Sequence, residues 1–423
     1  MKRIVLFILL FSAMTAFSQG ITGEWNGALS IQGKSMRMVF HIRNTEAGFS
    51  ATMDSPDQGA KGIQMSHVTF ENGTLTIELR IAQIKYVATL DQNTLTGTFS
   101  QGGLNLPLNL TKNEQAVEKV AEEVDKNADY LESPITLQTK TGKLFGTLTT
   151  PKIFTKGPMA LIIAGSGPTD RNGNNPSMTN DGYKKLAHEL ASNGIASIRY
   201  DKRGIAESTA AVESESNLVF YDYVQDAKDW ILLAKQDKRF TQVVVIGHSE
   251  GSMIGMLAAE KADKFISVAG PGRGIGVVLK EQLSAQPKAF QDEAFPIIDR
   301  LSKGERVEPI STAMMPLFRQ SVQPYMISWL KYDPQVELKK LKIPVLIIQG
   351  TTDIQVSEVD AKLLSAAKPK AQLLIIEKMN HILRTVEADR TANLATYNNP
   401  ELPLAEGFVK GITDFILNLV HTK

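Results

Sequence analysis

The chain has 423 residues, of which 43% are hydrophobic and 22% charged, and its formal net charge is +1. This composition can bury a full core, and the small net charge gives no reason to expect nucleic acid or an anionic surface as a partner. The sequence contains no cysteine, which excludes disulfides, thiolate metal sites, a cysteine nucleophile and a lipid-anchored N-terminal cysteine. The length predicts two or three domains.

The N-terminus has the pattern of a secretory signal. Basic Lys2 and Arg3 precede an apolar run at 4–11, and Ala16 and Ser18 place small residues at the two positions that a signal peptidase reads. The apolar run is short for a membrane span, so an uncleaved anchor is the less favoured alternative. We expect a signal peptide over 1–18, a periplasmic or secreted protein, and no stable membrane insertion after cleavage.

Residues 20–111 are predicted to form a β-rich domain. Short alternating segments recur between turn signals such as Asn72-Gly73. The segments lie at 28–31, 36–42, 48–53, 67–70, 75–79, 86–90 and 95–99. This spacing predicts an antiparallel meander of about seven or eight strands, closed as a barrel or folded as a sandwich. The domain could hold a ligand or be filled by its own side chains, and we favour the second alternative.

Residues 112–132 join this region to the rest of the chain. The stretch is charged and carries a narrow apolar stripe that includes Val117, Val120 and Val124. We expect a helical linker that packs loosely on a neighbour, with a disordered tether as the alternative.

Strand and helix patterns alternate over residues 133–423. A hairpin is expected at 135–149, followed by strands at 159–164, 195–200, 243–246, 265–269, 345–348 and 373–376, and by helices at 183–193, 217–236, 358–367 and 405–420. Such alternation predicts an α/β domain with a mostly parallel, doubly wound sheet and helices on both faces. Residues 272–332 lack a strand pattern and are rich in Met, Phe and Pro, which predicts a helical cap insertion over the site.

The pattern at 242–259 is a strand, a sharp turn and a helix. The apolar run 243–246 leads into Gly247 and Gly251, which flank Ser249, and a side chain at either glycine would collide with the strand or the helix. The turn lifts Ser249 Oγ out of the sheet at a helix N-terminus, where the free N–H groups and the helix dipole favour negative charge. We predict that Ser249 is a nucleophile, the alternative being an ordinary strand-to-helix turn.

A serine nucleophile needs a base to take its proton and a third group to orient that base. The chain has six histidines. Five are placed less favourably, in the β-rich region, inside a helix, beside the nucleophile or at the chain end: His41, His67, His188, His248 and His421. His381 follows the carboxyl end of a predicted parallel strand, the edge where open α/β sheets bind their ligands. We therefore predict His381 as the base.

The acid is expected at another strand end. Asp353 directly follows the predicted strand at 345–348, and the order Ser249, Asp353, His381 is the one expected of this architecture. Asp360 and Glu377 are the alternatives.

The oxyanion of a tetrahedral intermediate needs hydrogen-bond donors. One is expected to be the backbone N–H of Glu250, which follows the nucleophile. The other is expected from the loop after the strand at 159–164, with the Ser166 N–H preferred and Gly167 as the alternative, because Pro168 has no N–H.

These segments together resemble α/β-hydrolases of the bacterial serine carboxylesterase type. The segments are Gly247-His248-Ser249-Glu250-Gly251, Gly165-Ser166-Gly167-Pro168 with Asp170-Arg171, Tyr200-Asp201-Lys202-Arg203-Gly204, Gly350-Thr351-Thr352-Asp353 and Met379-Asn380-His381. The resemblance covers residue 135 to the C-terminus, and Ala206 stands where the family usually has a second glycine. It implies the α/β-hydrolase fold and a serine esterase, and it implies nothing about the β-rich region.

The favoured function is hydrolysis of a small-molecule carboxylic ester by a Ser-His-Asp triad through an acyl-enzyme. A peptidase or amidase with the same machinery is the first alternative, and a non-catalytic homologue that binds glycans or lipids is the second. No metal or organic cofactor is expected, since no His or carboxylate spacing matches a ligand set. The oligomeric state stays open.

Overall fold

A computed structural model describes residues 20–31, 34–45, 48–58, 60–101, 104–113, 128–175 and 177–419. The predicted signal peptide, most of the predicted helical linker and His421 lie outside these residues. The two ends of the predicted linker belong to β-strands, so the linker is shorter than 112–132.

The N-terminal region forms one antiparallel sheet of nine strands. They are β1 (Gly23–Ile31), β2 (Lys34–Thr45), β3 (Gly48–Ser55), β4 (Ala60–Gln64), β5 (His67–Glu71), β6 (Thr74–Leu79), β7 (Ile84–Asp91), β8 (Thr94–Gln101) and β9 (Leu104–Asn113). The strand order is β4-β3-β2-β1-β9-β8-β7-β6-β5, so β1 pairs with β9 and the meander is continuous.

The sheet curls until its two edges meet. Between β4 and β5, the Met65 N–H donates to Ala51 O of β3 at 2.9 Å, and the Ser66 N–H donates to Glu78 O of β6 at 2.7 Å. These bonds hold the β4–β5 connection between β3 and β6, and β3 lies against β5 from the other end of the strand order, which gives a barrel-like closure. We call residues 20–113 the barrel.

The interior of the barrel is packed with its own side chains. Residues with no more than 1% exposure include Trp25, Leu29, Phe40, Leu75, Ile77, Tyr86, Leu95 and Leu108. Phe40 stacks on Tyr86 with ring centroids 5.5 Å apart, and the Tyr86 hydroxyl donates to Leu108 O at 3.1 Å. The barrel therefore matches the side-chain-filled alternative.

The second region is built on an eight-stranded sheet. Its strands are β10 (Tyr130–Gln138), β11 (Lys143–Pro151), β12 (Gly157–Ile163), β13 (Ala196–Tyr200), β14 (Phe240–His248), β15 (Lys264–Val268), β16 (Val345–Gly350) and β17 (Gln372–Ile376). The strand order is β10-β11-β13-β12-β14-β15-β16-β17. The pairs β10–β11 and β11–β13 are antiparallel, and all the following pairs are parallel. β13 lies on one side of β12 and β14 lies on the other, so the strand order changes direction at β12. Such a topological switch point is where α/β sheets bind ligands.

Helices cover both faces of this sheet. They are α1 (Gly182–Ser192), α2 (Phe220–Gln236), α3 (Glu250–Ala258), α4 (Ile275–Leu283), α5 (Lys288–Ser302), α6 (Met315–Phe318), α7 (Gln323–Trp329), α8 (Pro334–Lys340), α9 (Glu358–Ala367), α10 (Arg390–Ala395) and α11 (Phe408–Leu417). One core contains residues of α1 and α11, and the other contains residues of α2, α3 and α4.

The two cores explain the continuous apolar strands. Along β12, Leu161 and Ile163 enter one core while Ala160 and Ile162 enter the other, because successive side chains point to opposite faces. A strand covered on both sides has no polar face to give it an alternating pattern.

The structure confirms the predicted α/β fold and adds detail to the β-rich region. The barrel has nine strands, where the sequence predicted about seven or eight, because β4 and β9 lay outside the segments recognised. The chain between β15 and β16 carries the five helices α4 to α8, in place of a bare loop. None of the described helices combines the length and apolar character needed to cross a membrane.

Burial in the sheet gives a direct stability test. Leu161→Ala removes a side chain with 0% exposure, and we expect it to lower the free energy of unfolding by about 2–5 kcal/mol through lost burial and a residual cavity. Leu232→Ala, at a position 48% exposed in α2, is the matched control and should change it by less than about 0.5 kcal/mol. Guanidinium denaturation measures both, and equal effects would contradict the assignment of Leu161 to the core.

Candidate active site

The turn after β14 holds Ser249 in a strained backbone conformation. Ser249 has φ 53° and ψ −120°, a region that residues with a side chain rarely adopt. A Cβ at Gly247 would lie 2.2 Å from Gly251 O, and a Cβ at Gly251 would lie 2.3 Å from Ile163 O. Close packing of backbone on backbone therefore requires both glycines and fixes the strand-to-helix turn that the sequence predicted.

The structure places Asp353 against His381. Asp353 Oδ2 lies 2.8 Å from His381 Nδ1, and both side chains are buried. Asp353 Oδ1 accepts hydrogen bonds from the backbone N–H groups of Gln355 and Val356 at 2.8 and 3.0 Å. Burial disfavours the carboxylate, but the imidazole and these donors outweigh it and hold the pKa of Asp353 below its ordinary value. A charged Asp353 accepts from Nδ1–H and leaves Nε2 free to act as a base.

Ser249 and His381 line the same cavity, of about 280 Å³, together with Gly165 and Ser166. Within the described residues, no hydrogen bond joins Ser249 Oγ to the imidazole. Contacts between a nucleophile and its base are often loose without substrate and tighten when it binds. The fold thus brings together the three residues that lie far apart in the sequence.

Two residues that line a cavity with Ser249 have backbone N–H groups without an acceptor in the described part of the chain. Ser166 and Glu250 line a second, larger cavity that also contains Ser249. Neither the Ser166 N–H nor the Glu250 N–H donates to an acceptor in the described part of the chain, whereas the neighbouring Gly165 N–H donates to the Tyr183 hydroxyl at 3.0 Å. Gly167, the alternative donor, lines the larger cavity as well.

The alternative acids have other partners or positions. Asp360 is buried and forms an ion pair of 2.6 Å with Arg273, and it accepts from the Gly272 N–H. Glu377 is exposed. Of the other described histidines, His188 lies 2.9 Å from Glu132, His41 lies 2.9 Å from Asp54 in the barrel, and His67 is exposed on β5.

His248 has a positioning role that the sequence did not reveal. Its Nε2 lies 2.8 Å from His381 O, and its Nδ1 lies 2.8 Å from the Tyr183 hydroxyl. Burial and the neighbouring His381 lower the pKa of His248 to about 3, so the ring is neutral. Since His381 O can only accept, Nε2 carries the proton and Tyr183 donates to Nδ1. The resulting chain runs from the Gly165 N–H through Tyr183 and His248 to the backbone of His381.

A buried ion pair joins the turn to the loop after β12. Lys202 Nζ donates to Glu250 Oε2 at 2.9 Å and to Gly165 O at 2.6 Å, and it lies 4.8 Å from the centroid of the Tyr223 ring. Lys202 and Glu250 are 1% and 2% exposed. One cation therefore ties together the two backbone segments that present the free N–H groups.

The loop after β12 is also fixed by carboxylates. Asp170 Oδ1 accepts from the N–H groups of Asn172 and Asn174 at 2.8 and 2.9 Å. Arg171 forms a 2.6 Å ion pair with buried Asp201 after β13. Burial, together with the charge of Asp201, raises the pKa of Asp170 to about 6.

Ala206 occupies the position where the family usually has a second glycine. Its φ is 44°, in the left-handed region that favours glycine. The loop therefore keeps the glycine-like backbone shape with an alanine in place.

In the described residues, no group of three or more His, Asp or Glu side chains is arranged to hold a metal ion. The groups around Ser249 are its hydroxyl, the hydrogen-bonded pair of His381 and Asp353, and the backbone N–H groups of Ser166 and Glu250.

The sheet order, the glycine-packed turn and the strand-end placement of Ser249, Asp353 and His381 define an α/β-hydrolase fold. A family model described as "Serine aminopeptidase, S33" matches residues 178–283, which run from the start of α1 to the end of α4. This match and the fold agree with the resemblance to α/β-hydrolases that the sequence motifs indicate.

One curated relative is Esterase EstD from Thermotoga maritima, 28% identical over 261 residues. The match covers 58% of this chain and 59% of the relative, so the chain spans about three fifths of that protein. Among solved structures, Est1E from Butyrivibrio proteoclasticus with bound ferulic acid is 18% identical with a TM-score of 0.45, covering 67% of this chain and 98% of that one. The Pyrococcus furiosus esterase Pf2001 is 13% identical with a TM-score of 0.44, covering 71% and 96%.

The Lys202–Glu250 pair gives a stability prediction. Lys202→Met leaves a buried carboxylate without its cation and should cost about 3–5 kcal/mol, and the double variant Lys202→Met with Glu250→Gln should recover most of that loss. Lys340→Met, at a pair where the lysine side chain is 63% exposed, is the matched control and should cost less than about 1 kcal/mol. Chemical denaturation measures all three. No recovery in the double variant would show that the charge of Glu250 is not what Lys202 stabilises.

Asp170 gives a pH prediction. The pKa of Asp170 is about 6 in the native state and near 3.8 in the unfolded chain, so the native state binds the proton more tightly. Loss of this proton therefore lowers the free energy of unfolding as pH rises from about 4 to about 6. Asp170→Asn removes that contribution. The difference in free energy of unfolding, variant minus wild type, should therefore increase by about 1–3 kcal/mol as pH rises from about 4 to about 6. Unfolding curves at pH 4, 5, 6 and 7 measure the difference, which would stay constant if Asp170 titrated normally.

Proposed function

We propose that the protein is a serine hydrolase that cleaves carboxylic esters through an acyl-enzyme. The observation that carries the proposal is the Asp353–His381 contact of 2.8 Å beside a cavity shared with Ser249, which also lines a larger cavity together with Ser166 and Glu250. This arrangement supplies a nucleophile, an oriented base and donors for an oxyanion.

The proposed reaction follows from these positions. Ser249 Oγ attacks the ester carbonyl while His381 Nε2 takes its proton, and Asp353 stabilises the imidazolium that forms. The N–H groups of Glu250 and Ser166 bind the oxyanion. His381 then gives the proton to the departing alkoxide, and a water activated by the same imidazole releases the acid from Ser249.

The known relatives favour an ester over an amide. The curated relative carries the name esterase, and the family model carries the name serine aminopeptidase. The esterase match extends over 261 residues, whereas the family model matches 178–283. An amidase remains the second candidate because the same triad cleaves amides.

Two further features belong to the proposal. Helices α4, α6 and α7 contribute residues to the larger cavity, which supports a role of the insertion as a cap over the site. The signal-like pattern at 1–18 supports a periplasmic or secreted location.

The central test is Ser249→Ala in the full chain. We expect kcat on p-nitrophenyl butyrate to fall by about 10⁴- to 10⁶-fold, because the attacking oxygen is lost, and labelling by a fluorophosphonate probe to disappear. Ser192→Ala, at an exposed serine of α1, is the control and should keep both.

An unchanged rate in the Ser249→Ala protein would overturn the proposal. An aminoacyl p-nitroanilide assayed beside the ester separates the two candidates, since turnover of the anilide alone would establish an amidase. A wild-type protein that neither hydrolyses the ester nor takes the probe would point to the non-catalytic homologue.

A further inference from the structure

Two cavities meet at Ser249, and they differ in size and in access to His381. The smaller, of about 280 Å³, is lined by His381, Ile382 and Tyr397 as well as Ser249. The larger, of about 1390 Å³, contains Ser249, Ser166 and Glu250, and His381 is not among its lining residues. Ligand sites commonly occupy about 300–1,000 Å³, so the larger cavity exceeds what a short ester needs.

The position of His381 assigns the two halves of the substrate. A general acid must reach the leaving oxygen, so the alcohol has to depart on the side of the imidazole. That side is the smaller cavity. The acyl group is attached to the same carbonyl carbon and extends the other way, into the larger cavity.

The insertion gives the larger cavity an apolar wall. Its lining residues include Val278, Leu279, Phe318, Val322, Met326 and Trp329. These side chains suit a hydrocarbon chain, because burying apolar surface is favourable and methionine adapts to irregular shapes.

Most charged groups in this cavity are paired. The pairs are Lys202 with Glu250, Arg203 with Asp226, and Arg319 with Glu215. A charged side chain in an ion pair attracts a charged substrate group only weakly, because its partner cancels most of its electric field. The cavity therefore fits a neutral acyl chain better than a dicarboxylate or an amino acid.

Another wall of the larger cavity belongs to the barrel. Ile63 and Gln64 of β4, Leu79 and Arg80 after β6, and Gln101 at the end of β8 all line it. Strand β4 lies against the short 3₁₀ helix Ala206–Ala211, whose loop also lines the cavity. The barrel interior is filled, so the barrel meets a ligand at its rim.

We propose that the barrel rim completes an acyl-binding site, and that the enzyme prefers esters of a long apolar acid with a small alcohol. This inference rests on the proposed ester hydrolysis and names the substrate class for the same site.

The test measures chain-length preference in the full-length protein. Wild-type protein should have a higher kcat/KM for p-nitrophenyl decanoate than for p-nitrophenyl acetate. Gln101→Trp, at an exposed rim position, should narrow the cavity and lower the decanoate-to-acetate ratio by about tenfold or more, since each methylene in an apolar pocket contributes about 10- to 200-fold. Thr96→Trp, on an exposed position of the same strand outside the cavity, is the control and should keep the ratio.

A second variant and a binding measurement test whether a change in the ratio comes from the cavity and not from a folding defect. Arg80→Trp, at a second exposed position of the barrel rim that lines the cavity, should lower the same ratio. In the Ser249→Ala background, calorimetry should show weaker binding of the intact decanoate ester when Gln101→Trp is added.

The outcomes separate the two proposals. An unchanged ratio in both rim variants, or an equal loss on both esters, overturns the acyl-wall inference while leaving ester hydrolysis standing. A wild-type protein that hydrolyses neither ester overturns the proposed function itself.

Discussion

The contact between Gly251 and the end of β12 sets the geometry of the whole site. Because Gly251 has no side chain, α3 can approach until its backbone packs on Ile163 O, where an added Cβ would lie at 2.3 Å. This brings the turn that carries Glu250 against the end of β12, and the loop that carries Ser166 follows that strand. Ser249, Glu250 and Ser166 therefore line one cavity although they come from separate parts of the chain.

Two further connections keep that position fixed. The hydrogen-bond chain through Tyr183 and His248 joins the loop after β12 to the backbone of His381, and Lys202 joins the same loop to Glu250. Gly165 takes part in both, through its N–H and its carbonyl. Buried side chains outside the proposed triad thus fix the loops that carry Ser166, Glu250 and His381. A functional site needs such support to hold its groups in one geometry.

Patterns within short segments could be predicted from the sequence, and contacts between segments could not. The continuous apolar strands, the helix at 358–367 and the strand-end placement of Asp353 and His381 follow from local periodicity, and the structure matches them. Strand β4 was missed because its residues do not alternate clearly, and β9 because Pro107 interrupts a Leu-rich strand. The role of His248 was missed because a neighbour of the nucleophile gives no hint of which atoms its ring will reach. Lys202 stood in a recognised segment, and only tertiary packing pairs it with Glu250.

The buried imidazole of His248 also carries a cost for the fold in acid. In the unfolded chain this ring takes up a proton near pH 6.5, whereas in the native state it resists protonation until about 3. Unfolded molecules thus bind one more proton over this range, and acidification pulls the equilibrium toward them. The ring that anchors the loop of His381 therefore makes the fold less stable in acid, even where Ser249, Asp353 and His381 are all intact.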